Sequence, residues 1–178
     1  MKNKRVLTLL LSLALGFNLT GCGYKTEPYD NGYLIINKCE DFPVTDTMIE
    51  DVDSKDLTIS YGENSVLMIH YEDQLGISKD EMLNAVLDSY KENSTLNSTV
   101  EFKKSKLSGY EGLSTSVEIT DRNGSDAELY VNVVDVDKYG AFLMIASVDK
   151  SEKSKVKNLI QDTVKNLKIS KGLKDVAK

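Results

Sequence analysis

LSTSVEITDRNGSDAELYVNV, residues 113–133, decides the fold class. Leu113, Thr115, Val117 and Ile119 alternate with Ser114, Ser116 and Glu118, the period of a strand with one buried face. Asn123-Gly124 then supplies a strong hairpin signal, because both residue types accept positive φ. The return strand, Ala127–Val136, carries Leu129, Val131 and Val133 on one face. An antiparallel pair therefore sits in the middle of the chain, and the flanking elements have to be fitted around it.

Towards the C-terminus, Lys138-Tyr139-Gly140 turns the chain into Ala141–Val148, an apolar run that predicts a central strand. Ser151–Leu167 follows as a helix, with Val156, Leu159, Ile160, Val164 and Leu167 forming an apolar stripe among lysines. Lys165 and Lys168 sit near its C-terminal end, where the macrodipole favours cations. Residues 171–178 read as a tail.

Towards the N-terminus, Val100–Leu107 is a moderate strand broken by Ser108-Gly109. Ser78-Lys79-Asp80-Glu81 is a capping box, and Met82, Val86 and Tyr90, with Leu83 and Leu87 beside them, predict an amphipathic helix to about Asn93. Leu57–Tyr61 and Val66–Glu72 form a strand pair joined through Gly62-Glu63-Asn64. Val66-Leu67-Met68-Ile69 is apolar on both faces, as expected of an inner strand covered on each side. Tyr33–Ile36 is a short strand candidate, and residues 37–56 are acidic and irregular, although Phe42, Val44, Met48 and Ile49 hint that part packs back or pairs. The pattern predicts an α+β fold, an antiparallel sheet flanked by helices as an αβα sandwich, in a single domain over residues 33–170.

The first 21 residues carry a different message. Lys2, Lys4 and Arg5 precede an uncharged run from Val6 to Phe17. As a helix this run rises about 18 Å, too little for a hydrocarbon core of roughly 30 Å, so it predicts a cleaved signal peptide and not a span. Leu19-Thr20-Gly21-Cys22 resembles the lipobox of bacterial lipoproteins. The resemblance implies cleavage before Cys22 and diacylglycerol on its sulfur, and two or three acyl chains anchor a protein stably where one does not. Residues 23–32 then read as a tether, reaching roughly 35 Å when extended. With Cys22 lipidated, Cys39 has no disulfide partner and is expected to be a small buried apolar residue.

Charge narrows the partners. The chain has 22 basic and 28 acidic side chains, a net charge of −6, and loses three of its basic residues with the signal. That excess of acid opposes nucleic acid and anionic head groups. His70 is the only histidine, and no Gly-x-Ser-x-Gly elbow, dinucleotide fingerprint or Walker loop accompanies it, so no catalytic residue and no cofactor is expected. Asp51-Val52-Asp53-Ser54-Lys55-Asp56 superficially resembles a calcium loop. Lys55 occupies the fifth position, however, and Gly62 stands where a glutamate belongs, so no metal site is expected. Asp51, Asp53 and Asp56 remain as candidate partner-binding residues in a loop whose negative potential favours a basic partner.

The chain also resembles the PsbP/Mog1-like domains, including small bacterial lipoproteins of the DcrB type. The resemblance covers about residues 33–170. It rests on element order, on Ser108-Gly109-Tyr110-Glu111-Gly112 and Tyr139-Gly140-Ala141-Phe142 opening strands, and on the closing Val164-Lys165-Asn166-Leu167-Lys168-Ile169. Many relatives carry a tryptophan shortly after the first strand's proline, whereas here Phe42-Pro43 leads into Val44-Thr45-Asp46. The resemblance implies a non-catalytic binding or assembly domain. Together these readings predict a lipoprotein on the extracytoplasmic side of the cell membrane, serving an envelope protein partner. The alternatives are a carboxylate-dependent hydrolase of envelope material and a cation-responsive sensor.

The anchor is testable directly. Cys22→Ala is expected to release the protein from membranes or leave it unprocessed. An intact mass without acyl chains on the wild-type protein contradicts the assignment.

Overall fold

The computed structural model describes residues 26–39, 41–42, 44–48, 55–61, 64–72, 76–136 and 140–170. In chain order these give β1 (Thr26–Asp30), β2 (Leu34–Cys39), β3 (Val44–Met48), β4 (Lys55–Tyr61), β5 (Ser65–Glu72), α1 (Lys79–Lys91), β6 (Ser94–Leu96), β7 (Lys103–Leu107), β8 (Tyr110–Asp121), β9 (Asp126–Asp135), β10 (Ala141–Asp149), α2 (Lys153–Asn166) and β11 (Lys168–Ile169). The main sheet has the order β3-β4-β5-β10-β9-β8-β6, with β7 sharing the outer edge of β8. A second sheet, β1-β2-β11, joins the two ends of the described chain.

The β8–β9 hairpin forms as the alternation requires, with Thr115 opposite Val131 and Val117 opposite Leu129. Its turn differs from a two-residue Asn-Gly turn. Four residues lie between the strands, only Gly124 takes positive φ, and the Asp121 carboxylate accepts from the amides of Asn123 and Ser125. A carboxylate that satisfies two turn amides removes the need for Asn123 to go left-handed.

β10 is apolar on both faces and β9 on the face that carries Leu129, Val131 and Val133, and this organises the packing. Leu129, Val131 and Val133 pack with Val117 and Ile119 against Leu83, Val86 and Leu87 of α1. The capping box that starts α1 is present: Ser78 Oγ accepts from the Glu81 amide at 3.2 Å, and Glu81 accepts from the Ser78 amide at 2.8 Å. On the other face, Phe142, Met144, Ala146 and Val148 join Leu57, Ile59, Leu67 and Ile69. This second core is closed by Val156, Leu159 and Ile160 of α2 and by Leu34 and Ile36 of β2.

The αβα sandwich predicted from sequence is therefore corrected to a β-rich fold. It has two isolated helices among the described residues, not helical layers. α1 spans only the β8–β9 half of its face, and α2 shares its face with the small sheet. The missing layer is supplied by strands because Thr26–Asp30, within the stretch read as a tether, pairs antiparallel with β2. The other edge of β2 takes Lys168 and Ile169 opposite Ile35 and Leu34, and Ser170 donates its amide to the Tyr33 carbonyl at 2.8 Å. Cys39, at the end of β2, is buried as expected. Part of the acidic segment pairs too, as β3 on β4.

Two polar bonds fix α2 to the sheets. Tyr61 Oη and Thr163 Oγ1 lie 3.0 Å apart within the core, and burial pushes the Tyr61 phenol up to about 12. Ser108, left-handed at φ 50° in the β7–β8 turn, donates its hydroxyl to the Leu167 carbonyl just past α2.

Gly112 is where β7, β8 and β9 crowd most. A Cβ there meets Ser105 Oγ and the Val133 carbonyl oxygen, each at 2.7 Å, and Val134 Cγ2 at 2.8 Å. Gly112→Ala is thus expected to cost about 1–3 kcal/mol, read as a lower midpoint in urea unfolding. An unchanged midpoint contradicts the packing described at this crossing.

Candidate functional site

Strand alternation places Val66, Met68, His70 and Glu72 of β5 on the face that α1 covers further along the sheet. Cross-strand pairing aligns Thr58, Met68 and Ile145 in one row, and Asp56, His70 and Leu143 in the next. α1 packs on β8 and β9 and makes its described contacts there, so the β4–β5 half of this face stays open among the described residues. Met68 is 39% exposed. The expectation that Val66-Leu67-Met68-Ile69 is covered on both sides thus holds for one side only: Leu67 and Ile69 are buried, while Val66 and Met68 face outwards.

Beside Met68 lies an acid–histidine–acid cluster. His70 Nδ1 bonds the Asp56 carboxylate, and Nε2 lies 3.0 Å from Glu72 Oε1. Carboxylates only accept, and a neutral imidazole has one N–H, so two carboxylate partners favour the imidazolium. Burial alone depresses the His70 pKa, but the two hydrogen bonds and the charges of Asp56 and Glu72 outweigh it and hold it above the ordinary 6.5. As an imidazolium flanked by two carboxylates, the cluster leaves one net negative charge beside an exposed methionine. A general base must keep a nitrogen open to the proton it abstracts. In His70 both nitrogens are taken.

Of the sequence-predicted site residues, Asp56 falls on β4 as the cross-strand partner of His70, not in a loop. Asp51, Asp53 and Cys22 lie outside the described residues. Sequence reasoning missed His70 and Glu72 as site members. The signal was present, because closing the predicted hairpin so that Tyr61 faces Ser65 puts Asp56 opposite His70. Among the described residues no group of three or more His, Cys, Asp or Glu side chains is placed to hold a metal ion, and no helix is long and apolar enough to cross a membrane.

The architecture has solved counterparts. The solution structure of cyanobacterial PsbP (CyanoP) from Synechocystis sp. PCC 6803 superposes with a TM-score of 0.54 at 9% identity, over 86% of this chain and 95% of that one. The crystal structure of the Saccharomyces cerevisiae Ran-binding protein Mog1p gives 0.51 at 11% identity, over 85% and 99%. The fold is PsbP/Mog1-like. No protein-family model matches the sequence, and no curated protein matches it either. At these identities the PsbP/Mog1 likeness establishes architecture, and function has to come from the surface.

The raised His70 pKa has a consequence for stability. Its contribution is fully present below the unfolded-state value near 6.5 and is lost as pH rises through the higher folded-state value. Urea unfolding of the wild type is expected to show stability falling on the alkaline side of pH 6.5, and His70→Gln is expected to remove that component. Equal pH slopes in the two proteins contradict the cluster's charge state.

Proposed function

We propose that this chain is a lipid-anchored accessory domain on the extracytoplasmic side of the membrane, and that it binds a protein partner of the cell envelope without catalysing a reaction. The observation that carries the reading is the open β4–β5 face. Met68 supplies an exposed apolar anchor, and Asp56 and Glu72, both bonded to His70, place acid along one side of it. Interfaces combine an apolar centre with a polar rim, and methionine adapts well to a partner's contour. The acidic rim selects a basic partner and speeds encounter more than it tightens the complex. Tethering through Cys22 keeps this face near the membrane surface. The fold is shared with a protein described as Ran-binding, which supports a protein-binding use of the architecture. Engagement of both His70 nitrogens supports the non-catalytic part of the reading.

The test uses the full chain in intact cells, with a photo-cross-linking residue at Met68 and, separately, at Asn123 in the distant β8–β9 turn. A discrete cross-linked product is expected from position 68 and not from 123. Its yield is expected to drop severalfold when Asp56→Asn and Glu72→Gln are combined or when ionic strength is raised. The same product from both positions, or a yield indifferent to both charge and salt, overturns the reading.

A further inference from the structure

The face of the sheet that carries α2 holds a cavity of about 620 Å³ between that helix and the β7–β8 edge. That is within the ~300–1,000 Å³ range of small-molecule sites. Its inner end is sealed by the packed core, where Met144, Ala146 and Ile160 are buried. Its open end is polar. Strand alternation brings Ser114 and Ser116 of β8 and Asn132 of β9 to the floor, and α2 adds Lys157 and Gln161, one helical turn apart.

The outer edge of β8 has a gap at this point. β6 pairs with residues 119–121 and β7 with residues 110–114, so residues 97–102 run beside 115–118 without joining the ladder. Asn97 donates its amide to the Glu118 carbonyl at 2.7 Å, and Ser98 Oγ accepts from the Glu118 amide at 3.0 Å. Both backbone groups of Glu118 therefore point away from β9, and by alternation so do those of Ser116, two residues back. The Ser116 N–H and C=O have no partner among the described residues. Backbone groups left out of a ladder need another partner, and these two open beside the cavity.

The side chains around them are neutral where they are uncommitted. Asn132 Oδ1 accepts from Ser105 Oγ at 2.7 Å, which leaves Nδ2 without a partner among the described residues. Gln161 is exposed and makes no side-chain hydrogen bond among them, and Ser114 Oγ reaches the Lys103 carbonyl only at 3.4 Å. The charges nearby are already paired. Glu128 accepts from Ser116 Oγ at 3.0 Å and from Tyr130 Oη at 2.5 Å, with Lys157 Nζ at 3.3 Å, and Lys103 has Glu101 at 3.7 Å. Lys106 belongs to the other face by register, and Lys165 is exposed a turn beyond Gln161.

We propose that this cavity binds a pyranose sugar, free or at the end of a glycan. A hydroxyl both donates and accepts. Two neighbouring sugar hydroxyls therefore satisfy the Ser116 N–H and C=O together, and others accept from Asn132 Nδ2 and meet the Gln161 carboxamide. A peptide strand matches the same backbone pair, but strand addition needs a run of open edge positions. β6, β7 and the Asn97–Ser98 contacts leave only Ser116. The site lies across the sheet from Met68 and His70 and stands or falls independently of the partner-binding face.

The test titrates the full chain, 15N-labelled at serine and asparagine and held in phosphatidylcholine nanodiscs. The probes are glucose, galactose, mannose and N-acetylglucosamine, each free and as a disaccharide. At least one sugar is expected to shift the Ser116 amide and the Asn132 side-chain amide saturably, with Asn123 in the distant turn unmoved. Tighter binding of a disaccharide than of its monosaccharide assigns the end of a glycan, and equal binding assigns the free sugar. Asn132→Asp keeps the acceptor for Ser105 and removes the donor. Combined with Gln161→Ala, it is expected to weaken binding about tenfold, read at Ser116 with the circular dichroism spectrum preserved. Gln161→Ala alone, at an exposed helix position, is expected to weaken it about threefold. No shift with any sugar, or wild-type affinity in both variants, overturns the proposal. Equal or larger shifts from dialanine or succinate assign the cavity to peptide or anion and overturn it as well.

Discussion

Everything in this fold follows from one central strand, β10, that is apolar on both faces. It presents Leu143 and Ile145, beside Leu129, Val131 and Val133 of β9, to one side and Phe142, Met144, Ala146 and Val148 to the other. Burying a large aliphatic side chain is worth roughly 1.5–3 kcal/mol, so leaving either face in water removes most of what a marginally stable domain has in hand. Both faces must be covered. The chain does this with one helix on one side, and with one helix and a three-stranded sheet on the other.

That requirement also explains what is left open. α1 is a 13-residue helix and reaches across β8 and β9, where the apolar side chains are densest. Towards β5 and β4 the same face turns polar, with Asp56, Thr58, Ser60, His70 and Glu72 interrupted by Val66 and Met68. Water solvates most of this row without penalty. Met68 gains nothing from that exposure, and the paired charges around it are half-buried by one another. A surface of this kind is stable alone and still has apolar area to give to a partner. On the other face, Tyr61–Thr163 and Ser108–Leu167 tie α2 to the sheets and close the core over β10.

Local signals in the sequence were legible and non-local ones were not. The capping box at Ser78 and Glu81, the stripes of both helices and the alternation in β8 and β9 each depend on neighbours a few residues away, and each appears where the pattern places it. β1 and β11 carry no such pattern. Thr26–Asp30 is largely exposed, and a two-residue strand has no period to detect, so their pairing with β2 emerges only when both chain ends meet. This is why the helical sandwich expected from sequence gives way to a β-rich fold. The apolar run at Val66–Ile69 was misleading for a related reason: period shows that a residue is apolar, not that another element arrives to cover it. Asp56 was singled out for its charge, but its partner His70 required the hairpin register, which the strand boundaries contained and composition did not.

The central claim is that the β4–β5 face is covered by a partner where the protein resides. It is tested most directly by cysteine accessibility. Met68→Cys and Asn123→Cys, each in the full chain, are treated with a membrane-impermeant maleimide, once in cells and once after purification. The account predicts that position 123 reacts at the same rate in both settings, and that position 68 reacts severalfold more slowly in cells. Buried Cys39 contributes little background. Equal rates at position 68 in cells and in the purified protein contradict a partner on this face.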